Sequence, residues 1–455
     1  MVAGWTKHGD GRTLAPGEVV KPEERLSWPR MVGFGAQHVI AMFGATFVFP
    51  VVMGLDPNVA IMMSGVATIL FLLIVNGKIP SYLGTSASFV GAVAAIRAGG
   101  GDSVTVTSAI LVAGAVLALC GYLIHRMGVQ VIHRIFPPVV TGAVVMLIGF
   151  GLAYVVARFY WPADQWIALI TMLVTFVVIV LFKGFIGRIG ILIGLVAGFI
   201  LSWAADRIFG NITAYNAATG QVDTHPRVNL DAVADAPWIG LPDFHLPTDF
   251  KASAILLVLP AVIALIAENI GHVKAVGEMT GVDADPYVGR ALIGDGVGTM
   301  VASAAGGSPT TTYAENIGVM AATRVYSTLA YYIAGVIAIL FGLCPKFGAL
   351  VAATPNGVLG GVTVILYGMI GLLGAKIWIE NRVDFSDPVN MVPIGAGIIM
   401  AIGPVDMVIT EDFTLSGIAL GTIVALGGYH LLRALSRRDA HAGPRDDHPR
   451  REATG

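Results

Sequence analysis

The chain has 455 residues, of which 56% are apolar and 57 are glycine, while only 12% are charged, and its mean hydropathy is +0.79. A soluble domain carries about 25% charged residues to wet its surface, so water is not the main solvent here. A formal charge of −2 leaves no basic field to hold nucleic acid, and the two cysteines, Cys120 and Cys344, sit in apolar runs where they form neither a disulfide framework nor a CxxC metal or redox site.

Residues 1–30 are polar and mixed in charge, with no apolar stretch followed by a cleavage site, and are expected to form a cytosolic tail rather than a signal peptide. A helix needs about 20 apolar residues to cross the hydrocarbon. Such runs lie at 31–53, 58–77, 104–125, 137–157, 166–183, 188–205, 251–274, 286–304, 326–344, 356–375, 390–405 and 414–435. Two more segments, near 82–98 and 308–324, are apolar but interrupted. In the first, the small and hydroxyl-rich run Pro80–Phe89 precedes a short helical stretch, Val90–Arg97; in the second, Gly306–Ala314 precedes Glu315–Thr323. Each is read as half strand and half helix.

Bare backbone at membrane depth is tolerated only inside protein or facing a cavity, and matched interruptions in two halves of a chain point to a transporter's midplane site. Counting both gives an all-α polytopic protein of 14 transmembrane segments, with the interrupted ones third and tenth, equivalent places in a 7+7 inverted repeat. An even count puts both termini on one side. With that side cytoplasmic, it holds 21 of the 27 Lys and Arg, among them Arg134 and six from Arg433 to Arg451, while the opposite loops carry acids such as Asp231, Glu411 and Asp412. The longest soluble stretch, 206–250, is too short and irregular for a catalytic domain, and the charged end 436–455 is expected to be a solvated cytosolic tail.

A carboxylate at mid-span costs about 2.5–3.5 kcal/mol on insertion scales, which makes it a functional candidate by default. Three stand out: Glu268, Asp295 and Glu315. Glu268 and His272 are four apart and share a helix face, so both can look into one cavity. Glu315 falls in the first turn of its half-helix, where free N–H groups and the positive end of the dipole also point. Asp295 is a candidate to brace unwound backbone across the site. Gln37 and His38 read as a helix–helix hydrogen-bonding pair, and Gly294, Gly296 and Gly298 as close helix packing, since no βαβ context supports a dinucleotide fingerprint.

A membrane enzyme is the rival class. The chain has no HExxH motif; Gly84-Thr85-Ser86-Ala87-Ser88 misses the GxSxG pattern; and Leu292-Ile293-Gly294-Asp295 lacks the first glycine of GxGD. A channel is disfavoured because the acids do not repeat as rings. No metal site or catalytic residue is expected.

The stretch Glu315-Asn316-Ile317-Gly318-Val319-Met320-Ala321-Ala322-Thr323-Arg324 matches the signature [Q/E/P]-N-x-G-x-x-x-x-T-[R/K/G] throughout, and Gln37–Thr46 and Ala267–His272 agree with it independently. Over residues 31–435 the chain thereby resembles the nucleobase-ascorbate transporter family, and within it is similar to bacterial uracil permeases. The resemblance implies a core domain from segments 1–4 and 8–11 (31–126 and 251–344) and a gate domain from segments 5–7 and 12–14 (127–205 and 345–435). It also implies a homodimer in the cytoplasmic membrane and nucleobase uptake coupled to protons, with sodium the alternative ion and no cofactor.

By position, the resemblance makes Glu268 and Glu315 the substrate-binding acids, with Tyr313, Ala314, Ala87 and Phe89 at the two breaks. It ties His272, Glu268 and Asp295 to proton coupling, and Asn316, Gly318, Thr323 and Arg324 to the signature. Glutamate at the signature's first position is similar to pyrimidine-type members, so uracil is the expected substrate; a xanthine or urate carrier on the same scaffold is the alternative. Ala314 and Ala87 depart from the glycine and the aromatic usual in uracil permeases, which leaves a broader pyrimidine range open. The chemistry stands without the family as well. Uracil offers two ring N–H donors and two carbonyl acceptors, which carboxylates and half-helix N-termini complement.

Overall fold

The computed structural model describes residues 4–15, 17–128, 136–216, 221–403, 405–410 and 413–441. Arg134, Glu411, Asp412 and the tail beyond His441 lie outside the described residues.

The chain is a sequence of helices broken by Gly, Pro and capping residues. Helix α1 (Trp28–Met53) ends on Gly54, whose φ of 66° is a left-handed C-cap. Helix α2 (Pro57–Ile74) starts with Pro57 in its first turn, and the Asp56 carboxylate accepts from the N–H groups of Asn58 and Val59 at 2.7 and 2.9 Å. The first broken segment follows: strand Leu83–Thr85, a 3-10 turn Ala87–Phe89 and helix α3 (Val90–Ala98). Helix α4 (Ser103–Met127) is capped by Asp102. Helix α5 (Pro138–Gly151) leads through a π-helical turn at Val156–Tyr160 to helices α6 (Gln165–Leu181) and α7 (Gly190–Phe209).

The second half runs through α8 (Ala252–Thr280), α9 (Asp285–Ala304), the strand Thr310–Thr312, α10 (Ala314–Thr323) and α11 (Thr328–Gly342). It closes with α12 (Pro345–Ala352), α13 (Asn356–Glu380), α14 (Pro388–Ile402) and α15 (Gly417–His441). Among the described residues, eight helices are long and apolar enough to cross a membrane, nine if α11 and α12, bent by 82°, count as one span.

Close backbone approach organises the interior. A Cβ on Gly296 of α9 would lie 2.4 Å from the Ala118 nitrogen of α4, and one on Gly289 would lie 2.5 Å from the His125 nitrogen. The small residues between 289 and 298 are therefore a packing surface, as the sequence suggests, and α9 is buried against α2 and α4.

Two boundaries differ from the sequence reading, at residues 5–27 and around 402–417, while the stretch 206–250 holds local structure without forming a domain. Residues 5–15 and 17–27 are folded rather than a simple tail: strands Thr6–Lys7 and Glu24–Arg25 pair in parallel, and Val20 and Leu26 are fully buried. The loop at 206–250 carries an antiparallel hairpin, Ile212–Asn216 with Gln221–His225, and a short helix, Asp231–Asp235. The spans read at 390–405 and 414–435 stop at Ile402 and start at Gly417, with the strand pair Asp406–Thr410 and Phe413–Ser416 between them, and α15 runs on to His441, past the expected tail boundary at 436. Asp406–Thr410 is exposed along its length despite its apolar side chains, so composition over so few residues does not separate a strand pair from a helix end.

Candidate functional site

The two broken segments meet. Leu83–Thr85 pairs antiparallel with Thr310–Thr312, in the register Leu83 to Thr312, Gly84 to Thr311 and Thr85 to Thr310. The ladder extends through Ser86 N donating to the Pro309 carbonyl at 2.8 Å and Tyr313 N donating to the Tyr82 carbonyl at 3.0 Å. All six strand residues are buried, and each half supplies the backbone partners the other lacks. Gly84 is required by this approach, because a Cβ there would sit 2.4 Å from the Tyr313 ring. Since the strands are antiparallel, α3 and α10 leave the pair in opposite directions, and both present their N-terminal ends to it.

Short hydroxyl residues lock the crossing. Thr85 and Ser308 hydroxyls are 2.7 Å apart, the Tyr313 hydroxyl donates to the Thr85 carbonyl at 2.7 Å, and Thr46 of α1 donates to Tyr313 at 3.2 Å. Tyr313 thus spends its hydroxyl inside the protein, and Phe89 is likewise fully buried. Ala87 and Ala314, at the helix starts, keep accessible surface.

Helix α8 packs against α3, the second strand and α10. It brings Glu268 within electrostatic reach of both Asp295 and Glu315, and both glutamates are partly accessible while Asp295 is fully buried. The three acids singled out by the sequence therefore share one neighbourhood. His272 Nδ1 lies 2.9 Å from the Thr312 hydroxyl and ties α8 to the second strand. Asp295 accepts from the Asn269 amide at 2.8 Å through Oδ2, and its buried Oδ1 has no hydrogen-bond partner.

In the signature helix, Asn316 donates to the His38 carbonyl at 2.9 Å and lies 3.2 Å from its Nδ1, while His38 stacks on Tyr331 with centroids 4.2 Å apart. His38 is a helix–helix anchor, as its position in α1 suggests. Gly318 leaves room for Arg188, whose Nε would be 3.5 Å from a Cβ there. Thr323 bonds back to the Val319 carbonyl at 2.9 Å, and Arg324 takes the left-handed C-cap at φ 56°. These four signature residues shape and hold α10.

Two residues escape the sequence reading. Asn269 and Thr312, the partners of Asp295 and His272, sit beside acids already chosen, and polarity inside an apolar span was the available signal. A cavity of about 750 Å3 lies elsewhere, bounded by Arg97, Asp164, Arg227 and Asn356. A smaller one of about 360 Å3 reaches Ser88 and Pro260 between α3 and α8. Among the described residues no group of three His, Cys, Asp or Glu is placed to hold a metal ion.

A family model described as a permease family matches residues 30–410. The chain belongs to that permease family. It is 42% identical over 428 residues, 92% of each chain, to a protein of Escherichia coli K12 named "Putative pyrimidine permease RutG". It is 34% identical to the uracil permease of Bacillus caldolyticus, covering 90% of this chain and 93% of that one, and 34% identical to the uracil permease of Escherichia coli K12, covering 89% and 91%. The fold is shared with membrane transporters of remote sequence. Murine Slc26a9, an anion transporter solved in the inward-facing state, superposes with a TM-score of 0.63 at 11% identity over 90% of this chain and 69% of that one. The transmembrane domain of the cyanobacterial bicarbonate transporter BicA does so with a TM-score of 0.57 at 13% identity, over 87% and 96%. As a permease, the protein is a multi-pass membrane transporter and not an enzyme.

Proposed function

We propose that this permease imports uracil, with other pyrimidines within reach, by alternating access coupled to protons. The observation that carries the reading is the strand pair that joins the starts of two half-helices, with Glu315 in the first turn of one and Glu268, on the continuous helix α8, within electrostatic reach of it. A planar lactam with alternating N–H and C=O groups matches acids that accept and helix N-termini that donate. A site built on such bonds rejects analogues that leave its polar groups unpaired. The names of the relatives, uracil and pyrimidine permeases, support the same substrate class. A basic residue, which an anion carrier would want at the half-helices, is missing from the first turns of both α3 and α10.

In this reading Glu315 and Glu268 hold the base, with the backbone at Ala87, Phe89, Tyr313 and Ala314 as donors and wall. Glu268, His272 and Asp295 carry the proton exchange. The empty carrier reorients with one glutamate protonated, and substrate binding trades against release of that proton to the cytosol. Fourteen crossings follow if the eight long helices and the bent α11–α12 pair are joined by the shorter apolar helices at 87–98, 165–181 and 388–402, and by α9 and α10. Core segments (31–126 and 251–344) would then move against gate segments (127–205 and 345–435) in a homodimer of the bacterial inner membrane, with both termini cytosolic. Binding of purified protein to uracil, thymine, xanthine, urate, ascorbate and sulfate tests the substrate. Uracil should shift the melting temperature most, and a shift by xanthine or urate alone would replace this reading with a purine carrier.

A further inference from the structure

Trp5 donates its indole N–H to the Thr328 hydroxyl at 2.9 Å and lies edge-on to Tyr332, with ring centroids 5.7 Å apart. Val20 forms a parallel bridge with Val325: its N–H donates to the Arg324 carbonyl at 2.9 Å, and its carbonyl accepts from the Tyr326 N–H at 2.8 Å. The Thr328 N–H and hydroxyl both reach the Pro22 carbonyl, at 3.0 and 2.9 Å, and the Ser327 hydroxyl donates to the Glu24 carbonyl. Beneath these bonds Val20, Leu26 and Met31 close a small core with Val325, Leu329 and Ala330.

Residues 324–327 connect α10, the helix bearing Glu315, to α11, whose first residue is Thr328. That helix has ten residues, too few to be stable or to hold its direction alone. One stretch of chain grips it at three levels. Thr46 holds Tyr313 at its start, His38 holds Asn316 one turn along, and residues 20–24 hold the connection at its end. The N-terminal segment continues the support that α1 begins.

We propose that residues 5–27 are a positioning strap for the transport site, fixing the far end of α10 and, through it, the place of the Glu315 carboxylate. The proposal rests on Glu315 as a substrate ligand. A helix pinned at one end pivots at the other, and small displacements of a recognising group weaken the bonds it makes. The strap acts through α10 and touches no substrate.

The test uses the full-length protein and its Trp5→Ala and Ser327→Ala variants, read by amide hydrogen exchange over residues 314–328 and by uracil titration calorimetry. Both variants should speed exchange in α10 and raise the uracil dissociation constant about three- to tenfold, the range that losing one or two such hydrogen bonds allows. Trp5→Phe, which keeps the ring against Tyr332 and loses the N–H, should fall between wild type and Trp5→Ala. Unchanged exchange would overturn the strap. Faster exchange with unchanged affinity would overturn its role in placing Glu315 and leave a stabilising cap. Failure of the wild type to bind uracil would count against the substrate reading alone, because the exchange measurement decides the strap without ligand.

Discussion

The two broken segments share one backbone plan and differ in what they carry. The first enters its helix through Ser86, Ala87 and Ser88, all small and uncharged, with the Ser86 hydroxyl accepting from the Ser88 N–H. The second enters through Ala314, Glu315 and Asn316, one an acid and the next an amide anchored on α1. Strand pairing satisfies the break together with the Thr68 and Thr299 hydroxyls, which accept from the Leu83 and Thr310 N–H groups, and none of these bonds uses the acid of the second segment. An ionisable group kept where none is needed for folding points to the ligand.

The contrast is sharpest at its two helix starts. Glu315→Gln should lower uracil affinity about 10- to 100-fold, the size of a lost charge-assisted hydrogen bond, whereas Ser88→Ala should change it less than about threefold. Equal losses would mean that both breaks recognise substrate. Glu268→Gln, on the helix between them, should abolish proton-dependent uptake in proteoliposomes and weaken calorimetric binding; uptake lost with binding unchanged would assign Glu268 to coupling alone.

Packing supplies the next scale. Gly296→Ala forces a methyl against the α4 backbone and should cost about 1–3 kcal/mol, seen as a lower melting temperature. Gly271→Ala, where a Cβ meets nothing within 4 Å, should be neutral or stabilising by up to about 1 kcal/mol. Asn316→Ala removes the amide that ties the first turn of α10 to His38, and should cost about 1–3 kcal/mol in stability. The smallest effect is expected at the first break, where Ala87→Val should shift the ratio of thymine to uracil binding a few-fold by filling space beside the base.

Much of this was legible in the sequence because it depends on local residue type. Pro80–Phe89 and Gly306–Ala314 announce breaks by their small and hydroxyl residues, and strand and helix follow within a residue or two of the expected places. The glycines of α9 announce close packing, and the three acids stand out against their apolar surroundings. What could not be read is contact between distant segments. Three-residue strands at 83–85 and 310–312 have no periodicity to match across more than 200 residues, so their pairing is a tertiary fact. The same holds for His272, where i,i+4 spacing puts it on the face of Glu268 and only the fold brings Thr312 to its Nδ1. Residues 5–27 look like a tail because their scattered apolar side chains, among them Trp5, Leu14, Val20 and Leu26, find a core only through distant contacts with α1, α11 and Val325.

Calorimetric titration of the purified protein with uracil, wild type beside Glu315→Gln, tests the central claim most directly. The account predicts saturable binding by the wild type and a loss of about 10- to 100-fold in the variant, the melting temperature of the ligand-free protein staying within a few degrees. Equal affinity in the two proteins, or binding of sulfate in place of uracil, would contradict it.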